Sequence, residues 1–112
     1  MNTIVNGVEF NTVAREWRCK WSADNDKASL EAAQKVLDEY KAQVKAVAGV
    51  KNVQRVVCGG CLDFKVITSL DMNGFGDWEK SGFAPEKEFL ETLGKIKGVS
   101  NVEAQTFTLM DV

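Results

Sequence analysis

The hexapeptide AGVKNV at residues 48–53 recurs as KGVSNV at residues 97–102, forty-nine residues further along the chain. In both copies a Gly-Val pair is followed, after one residue, by an Asn-Val pair. A weaker echo relates EWRCKWS at residues 16–22 to DFKVITS at residues 63–69. Self-similarity at a fixed spacing indicates a duplicated structural unit, and two copies are too few for a solenoid. The chain is therefore interpreted as two copies of a strand–helix–strand unit.

The first unit, residues 12–58, is predicted to contain a strand, a long helix and a second strand. Apolar and polar residues alternate from Val13 to Trp21, which is the period-two pattern of a half-buried strand. Apolar residues then recur at three- and four-residue steps between positions 30 and 47, which predicts a helix. Asp24 or Asp26 is placed to cap its start, and Gly49 can supply the left-handed residue after its end.

The second unit, residues 61–112, repeats this order with a different link before its helix. A strand to about Leu70 opens the unit, and NVEAQTFTLM at residues 101–110 closes it. Pro85 suits the first turn of the helix, whose apolar stripe ends at Gly98. The segment LDMNGFGDWEKSGFAPE, residues 70–86, interleaves glycines with aromatic residues and is interpreted as a long loop. Such loops are often functional, but we favour a local flap whose aromatic residues cover the end of the core.

Two strand–helix–strand units in succession give the order β-α-β-β-α-β. With right-handed crossovers, this order predicts an α+β, ferredoxin-like domain over residues 1–112, in which a four-stranded antiparallel sheet carries both helices on one face. Residues 1–11 form an N-terminal extension. Its segment TIVNGVEF is predicted to be a short hairpin, because Asn-Gly is a favoured two-residue turn.

This layout, with paired helices that end in GVxNV, resembles the ferredoxin-like plait of the dimeric α+β barrel proteins. That group includes the antibiotic-monooxygenase and EthD-like families and the stress-responsive barrels. The resemblance covers residues 12–112 and concerns layout only. It implies sheet-to-sheet dimerisation and a small molecule held between sheet and helices or inside the barrel. No catalytic residue is carried over, because those enzymes often use histidine and this chain has none.

The segment VVCGGCLDFKV, residues 56–66, is predicted to be a hairpin closed by a two-residue Gly-Gly turn. In that register Cys58 faces Cys61. Such a pair is compatible with a redox-responsive dithiol. We favour the simpler interpretation that the cysteines are small strand residues, because a thioredoxin-type motif needs a helix N-terminus. No metal site is predicted, since only a four-cysteine centre shared across a dimer axis could complete the ligand set.

The predicted register divides the sheet into a core face and an open face. The core face carries Trp17, Cys19, Trp21, Val53, Val57, Leu62, Phe64 and Val66. The open face carries Glu16, Arg18, Lys20, Gln54, Val56, Cys58, Cys61, Asp63, Lys65, Ile67, Glu103, Gln105, Phe107 and Leu109. Because charged and apolar residues are mixed there, the open face is either a solvated surface or a dimer interface with a polar ligand chamber. Its aromatic residue favours an interface.

We expect a ligand or interface site to use the open face and the long loop. The candidate residues are Arg18, Gln54, Asp63, Lys65, Phe75, Trp78, Glu103 and Phe107. The loop aromatics would form an apolar wall, and a basic residue would anchor an anionic group. The groups available to an enzyme for proton transfer are Tyr40, Asp63, Lys65 and Glu103.

Composition narrows the classes of partner and chemistry. Fourteen basic and sixteen acidic side chains give a net charge of −2, so neither nucleic acid nor an anionic membrane is an expected partner. No stretch has the length of a membrane span or the pattern of a signal peptide. Three cysteines, an odd number, argue for reduced thiols. We therefore expect a soluble intracellular protein, either cytoplasmic or in an organelle after removal of a targeting peptide.

The favoured interpretation is a small non-catalytic binding or interaction module. It would form a homodimer, or dock on a protein partner, through its sheet face, and would hold a small apolar or anionic ligand without a cofactor. One alternative is a cofactor-free dimeric α+β barrel enzyme of the oxygenase, cyclase or isomerase type. Another is an accessory subunit of a larger complex. The absence of histidine and of a catalytic motif argues against the enzyme.

Overall fold

Four antiparallel strands form the central sheet of the computed structural model, which describes residues 1–112. The elements in chain order are β1 (Asn2–Val5), β2 (Val8–Phe10), β3 (Thr12–Lys20), α1 (Asp24–Lys45), β4 (Val50–Cys58), β5 (Asp63–Leu70), α2 (Met72–Lys80), α3 (Glu86–Gly94) and β6 (Ser100–Leu109). The strand order is β4-β5-β3-β6, and β1 and β2 form a separate hairpin. The predicted α+β, ferredoxin-like fold is confirmed, with one helix more than expected. None of the three helices combines the length and the hydropathy that a membrane span requires.

Strand β3 lies in the interior of the sheet and anchors the core. Its alternation buries Val13, Trp17 and Cys19 on the side of the helices, as predicted. The Trp17 ring lies 4.8 Å from the ring of Phe89 on α3 and 6.1 Å from that of Trp78 on α2. Aromatic pairs at these distances stabilise a core beyond the area that they bury. One side chain therefore joins the sheet to two helices.

The interpretation of residues 70–86 as a long loop is wrong, because this segment contains helix α2. The Asp71 carboxylate caps the helix by accepting the N–H of Gly74 at 2.7 Å. Phe75 and Trp78, three positions apart, share one helix face and are both buried. Gly74 has a packing role at the start of this helix, because its backbone lies against that of Gly49. A Cβ atom at Gly49 would lie 3.2 Å from the Gly74 Cα. The favoured interpretation, in which aromatic residues cover the end of the core, agrees with the burial of Phe75 and Trp78.

The predicted two-residue turn between β4 and β5 is also wrong. Cys58 pairs with Asp63, and residues 59–62 form a four-residue turn. Leu62 adopts a left-handed φ of 58° and its carbonyl accepts the N–H of Trp21 at 2.9 Å, which ends the turn at this residue. The register differs from the predicted one by two residues. Because side chains alternate with a period of two, each strand residue keeps its predicted face.

Helix α1 does not begin with an aspartate cap. Residues 25–27 have left-handed φ angles of 54–62°, so the regular helix starts after them. Instead, the Ser29 hydroxyl accepts the N–H of Ser22 at 2.8 Å and donates to its carbonyl at 3.2 Å. Gly98, with a φ of +95°, lies against this pair. The left-handed residue predicted after the helix is confirmed, since Gly49 has a φ of +87°.

Edge strand β4 is less covered than the sequence indicated. Val57 was predicted to be a core residue but is 41% exposed. It lines a groove of about 460 Å³ between β4 and the start of α1, together with Leu30 and Arg55. The helix therefore does not cover the end of this strand.

The N-terminal hairpin is confirmed, with Asn6 and Gly7 between the paired residues Val5 and Val8.

Replacement of Phe89 by alanine tests the aromatic core. Phe89 has no exposed surface, and its ring also meets that of Tyr40 edge to face at 5.7 Å. We expect Phe89→Ala to lower the free energy of unfolding by about 3–5 kcal/mol, as cavity-forming substitutions of buried aromatics do. Urea denaturation followed by tryptophan fluorescence measures this. Ile4→Ala, at a position that is 57% exposed, is the control and should change the value by less than about 0.5 kcal/mol. Equal effects of the two substitutions would contradict the described core.

Candidate functional site

Charged side chains meet on the open face of the sheet, on the side away from the helices. Residues on neighbouring strands that are paired in register project to the same face. Arg18 on β3 pairs with Lys65 on β5, and Lys20 pairs with Asp63. Glu16 lies next along β3 on the same face. We call Glu16, Arg18, Lys20, Asp63, Lys65 and Gln105 the charged cluster.

Glu16 occupies the centre of the charged cluster and is only 3% exposed. Its Oε2 accepts a hydrogen bond from Nε2 of Gln105 at 2.7 Å. The Nζ of Lys65 lies 3.8 Å from Oε1, and an Arg18 Nη lies 3.7 Å from Oε2. A carboxylate is costly to bury unless it is paired and hydrogen-bonded. Two cations and an amide supply these partners, so a buried acid is held among positive charges on the face opposite the core.

Asp63 is the second buried carboxylate of the charged cluster. Its Oδ1 lies 2.6 Å from the Lys20 Nζ and 3.4 Å from an Arg18 Nη. The hydrogen bond from Lys20 lowers the pKa of the Asp63 carboxyl below its usual value, and burial partly opposes this effect. The positive charges of Lys20, Arg18 and Lys65 lower the pKa further. Arg18 thus lies between two carboxylates, which makes the charged cluster one connected network.

Apolar residues share the open face with the charged cluster. Phe107 on β6 lies opposite Ala14, which has no exposed surface. Leu109 and Val56 on the two edge strands are 42% and 39% exposed. An apolar area therefore adjoins the charged cluster. This combination suits contact with a molecule or a protein surface that has both an apolar and a polar part.

Six of the eight predicted ligand or interface residues share the open face. They are Arg18, Gln54, Asp63, Lys65, Glu103 and Phe107. The other two, Phe75 and Trp78, do not join them, because α2 buries both on the opposite side of the sheet. Tyr40 also lies on the helix side, where its hydroxyl is 3.4 Å from that of Thr92. Of the four predicted proton-transfer groups, only Asp63, Lys65 and Glu103 belong to the open face.

Glu16 and Gln105 were placed on the open face by the sequence but were not selected as site residues. The sequence did contain a signal for Glu16, which is a carboxylate near two cationic residues in a strand predicted to be central. A central strand has neighbours on both sides, so its side chains are more covered than those of an edge strand. What the sequence did not show is that these partners bury Glu16. The contact with Gln105 depends on the pairing of β3 with β6, where Glu16 and Gln105 face each other.

The space between the sheet and the helices is filled by aromatic rings. The buried aromatic residues are Phe10, Trp17, Trp21, Phe64, Phe75, Trp78, Phe83 and Phe89. At the margin of this layer, the Glu86 carboxylate accepts hydrogen bonds from Trp17 Nε1 and Arg15 Nε, both at 2.8 Å. The Arg15 guanidinium lies 4.2 Å from the centre of the Phe83 ring. Around Trp17 and Phe89 the layer between sheet and helices is therefore packed, whereas the open face is uncovered in the single chain.

No protein-family model matches the chain, and no curated protein matches it. Solved structures do match its fold. A "putative antibiotic biosynthesis monooxygenase" from Caulobacter crescentus aligns with a TM-score of 0.63 and 14% identity, over 91% of this chain and 92% of the other. SnoaB, a cofactor-independent oxygenase from Streptomyces nogalater, aligns with a TM-score of 0.59 and 14% identity, over 91% and 96%. A dimeric ferredoxin-like protein from an uncultured marine organism aligns with a TM-score of 0.60 and 13% identity, over 91% and 90%.

The chain has the ferredoxin-like fold. The predicted resemblance to the dimeric α+β barrel proteins is thereby confirmed at the level of fold. The expectation of a non-catalytic module is corrected, because the similar structures include a cofactor-independent oxygenase and two proteins described as monooxygenases. These neighbours favour the enzyme alternative.

Substitution of Lys20 tests the network around Asp63. We expect Lys20→Met to raise the pKa of Asp63 towards its usual value near 3.8, because the principal hydrogen bond to the carboxylate is lost. A carboxyl-detected NMR titration measures this. In the unmodified protein, the stabilising effect of the Asp63 charge should be complete above the usual pKa and be lost as the pH falls through the lowered value.

Lys51→Met is the matched control for this titration. Lys51 lies on β4 and donates to the Asn11 carbonyl at 3.0 Å, so its removal should leave the pKa of Asp63 unchanged. An Asp63 pKa that does not respond to the loss of Lys20, or that responds equally to the loss of Lys51, would contradict the described pairing.

Proposed function

We propose that the protein is a cofactor-independent oxygenase and that Glu16 is its proton-accepting group. The observation that carries the proposal is the buried Glu16 carboxylate, which two cations flank on the open face. The fold of a known cofactor-independent oxygenase, SnoaB, supports the reaction class. A carboxylate can replace histidine as the general base when its surroundings position it.

The chemistry of the reaction limits the substrate. Without a cofactor, the electrons that reduce O₂ must come from the substrate itself, so the substrate must form an electron-rich anion. An acidic CH₂ group beside a carbonyl or an aromatic ring meets this requirement. Its conversion to a carbonyl group uses one O₂ and releases one water, so no external reductant is needed. The same balance holds for a phenol whose ring C–H is converted to a quinone carbonyl. The substrate class is therefore a small apolar molecule with an ionisable CH₂ or phenol group.

The charged cluster matches this requirement. Glu16 would accept the proton, and Lys65 and Arg18 would stabilise the negative charge that develops on the substrate. The apolar area around Phe107 would contact the hydrocarbon part. Transition-state charges are stabilised most where water is excluded. The open face of one chain is a surface, so such a site needs a cover.

A second copy of the chain is the proposed cover. Homodimers with two-fold symmetry bring the same patch of both subunits together. Exposed apolar residues on both edge strands of this face, Val56 and Leu109, favour such association. One solved protein of this fold is described as dimeric. Sheet-to-sheet pairing would enclose both charged clusters in one chamber.

The loss of oxygenase activity in Glu16→Gln tests the role of the carboxylate. We expect O₂ uptake with anthrone or hydroxynaphthalene substrates to fall by about 100-fold or more, as for the loss of a general base. An oxygen electrode measures the rate, and labelled O₂ should place one oxygen atom in the product. Glu103→Gln is the matched control, because Glu103 is exposed on the same face. Equal rates in Glu16→Gln and the unmodified enzyme would exclude Glu16 as the base.

Substitution of Leu109 tests the dimer. Leu109→Glu places a charge in the proposed interface at an exposed position, so we expect the dimer to dissociate at low micromolar concentration while the chain stays folded. Met72→Glu is the control, because Met72 is similarly exposed, at 46%, but lies at the start of α2 on the helix side. Sedimentation velocity measures both variants. A monomeric unmodified protein would contradict the proposed cover.

A further inference from the structure

The turn at the end of the open face holds a disulfide that the proposed oxygenase chemistry does not use. Cys58, the last residue of β4, is joined to Cys61 in the following turn, and their Cα atoms are 5.6 Å apart. This separation is within the usual range for disulfides. The favoured sequence interpretation, in which the two cysteines serve only as small strand residues, does not account for the bond.

The disulfide is open to attack from solvent. Cys61, Gly59 and Gly60 are exposed, and a Cβ atom at either glycine would meet no atom within 4 Å. The turn that carries the disulfide is therefore surrounded by open space. Thiol–disulfide exchange needs such access for the attacking thiolate.

The third cysteine is not a partner for exchange. Cys19 is 1% exposed and lies in the core on the helix side of the sheet. Burial raises the pKa of its thiol to about 11, with a smaller effect from the charge of Asp63, so it is protonated near neutral pH. The attacking thiol must therefore come from another molecule.

The two sulfur atoms of the disulfide have different surroundings. The backbone N–H of Cys61 points at the Cys58 sulfur, with the two atoms 3.2 Å apart. A hydrogen bond of this kind stabilises negative charge on the sulfur that accepts it. In exchange reactions, the sulfur with the more stable thiolate is the better leaving group. Cys58 is therefore the leaving sulfur, and the exposed Cys61 is the sulfur attacked.

We propose that Cys58 and Cys61 form a thiol–disulfide exchange site for an external thiol, and that its redox state is transmitted to the charged cluster through Lys20. A thiolate attacks the Cys61 sulfur, a mixed disulfide forms, and the electron pair of the broken bond goes to Cys58. A second thiolate then releases Cys61. The net reaction converts one protein disulfide and two thiols into a protein dithiol and one external disulfide. The proposal does not rest on the oxygenase function.

The link to the charged cluster is the position of Lys20. Its Nζ donates to the Cys61 carbonyl at 2.8 Å and lies 2.6 Å from the Asp63 carboxylate. Asp63 pairs in register with Cys58 and contacts Arg18, which in turn lies beside Glu16. A turn that is no longer closed by the disulfide gives the Cys61 carbonyl more freedom. Reduction should therefore change the position of Lys20, and with it the environment of Asp63.

Thiol counting and mass spectrometry test the exchange site. Protein purified without reductant should react with one maleimide per chain after denaturation, and with three after reduction. Limiting glutathione, added to the native protein, should form a mixed disulfide on Cys61, which tandem mass spectrometry of the peptide locates. Cys19→Ser is the control and should be reduced at the same rate as the unmodified protein. Three free thiols before reduction, or glutathione on Cys58, would overturn the proposal.

A comparison of two reductants distinguishes a small thiol from a protein dithiol as the external reactant. If small thiols are the reactants, millimolar glutathione should reduce the disulfide fully. If a protein dithiol is the reactant, a thioredoxin-type protein at micromolar concentration should reduce it at least tenfold faster than glutathione at the same concentration. A disulfide that resists both reagents in the native protein would overturn the proposal.

NMR spectroscopy tests the link through Lys20. Reduction should shift the carboxyl signal of Asp63, and the double variant Cys58→Ser, Cys61→Ser should reproduce the shift without reductant. In Lys20→Met, reduction should leave that signal in place, while the amide signals of the turn still move. A reduction-induced Asp63 shift that persists without Lys20, or that is absent in the unmodified protein, would contradict the link.

Discussion

The position of Trp17 in strand β3 is the constraint on which the rest of the structure depends. Its ring packs between the sheet and the aromatic residues of α2 and α3, and its Nε1 donates to Glu86 at the start of α3. Because neighbouring residues of a strand project to opposite faces, burial of Trp17 directs Glu16 to the open face. β3 has partners on both sides, so Glu16 is surrounded there by side chains of β5 and β6. The same alternation thus produces the core and the candidate site.

Much of the fold could be predicted because two simple patterns determine it. The alternation from Val13 to Trp21 assigned the faces of β3. The repeated Gly-Val-x-Asn-Val marked the turns that join α1 to β4 and α3 to β6, where Gly49 and Gly98 have positive φ angles. The residues of the β4–β5 hairpin were assigned to the correct faces although the turn was predicted wrongly, because the error in register was two residues. Six of eight candidate residues therefore lie on the predicted face.

The remaining features depend on contacts between distant segments. Helix α2 was missed because two glycines within nine residues suggest a loop, whereas Gly74 permits close packing against Gly49. The burial of Glu16 depends on Gln105, eighty-nine positions away, and no local pattern reports that contact. The expectation of a non-catalytic module gave much weight to the absence of histidine, whereas solved structures of this fold include a cofactor-independent oxygenase. A carboxylate among cations can perform the same proton transfer when the fold positions it.

Native mass spectrometry of the protein isolated from its source tests the central claim most directly, namely that the open face around Glu16 is an enclosed site between two chains. The account predicts a homodimer that retains a small organic molecule, which activation in the gas phase releases. A bare monomer at low micromolar concentration would contradict it, because an uncovered open face cannot exclude water from the charged cluster. A chain that is recovered only in complex with other proteins would also contradict it, and would favour an accessory subunit.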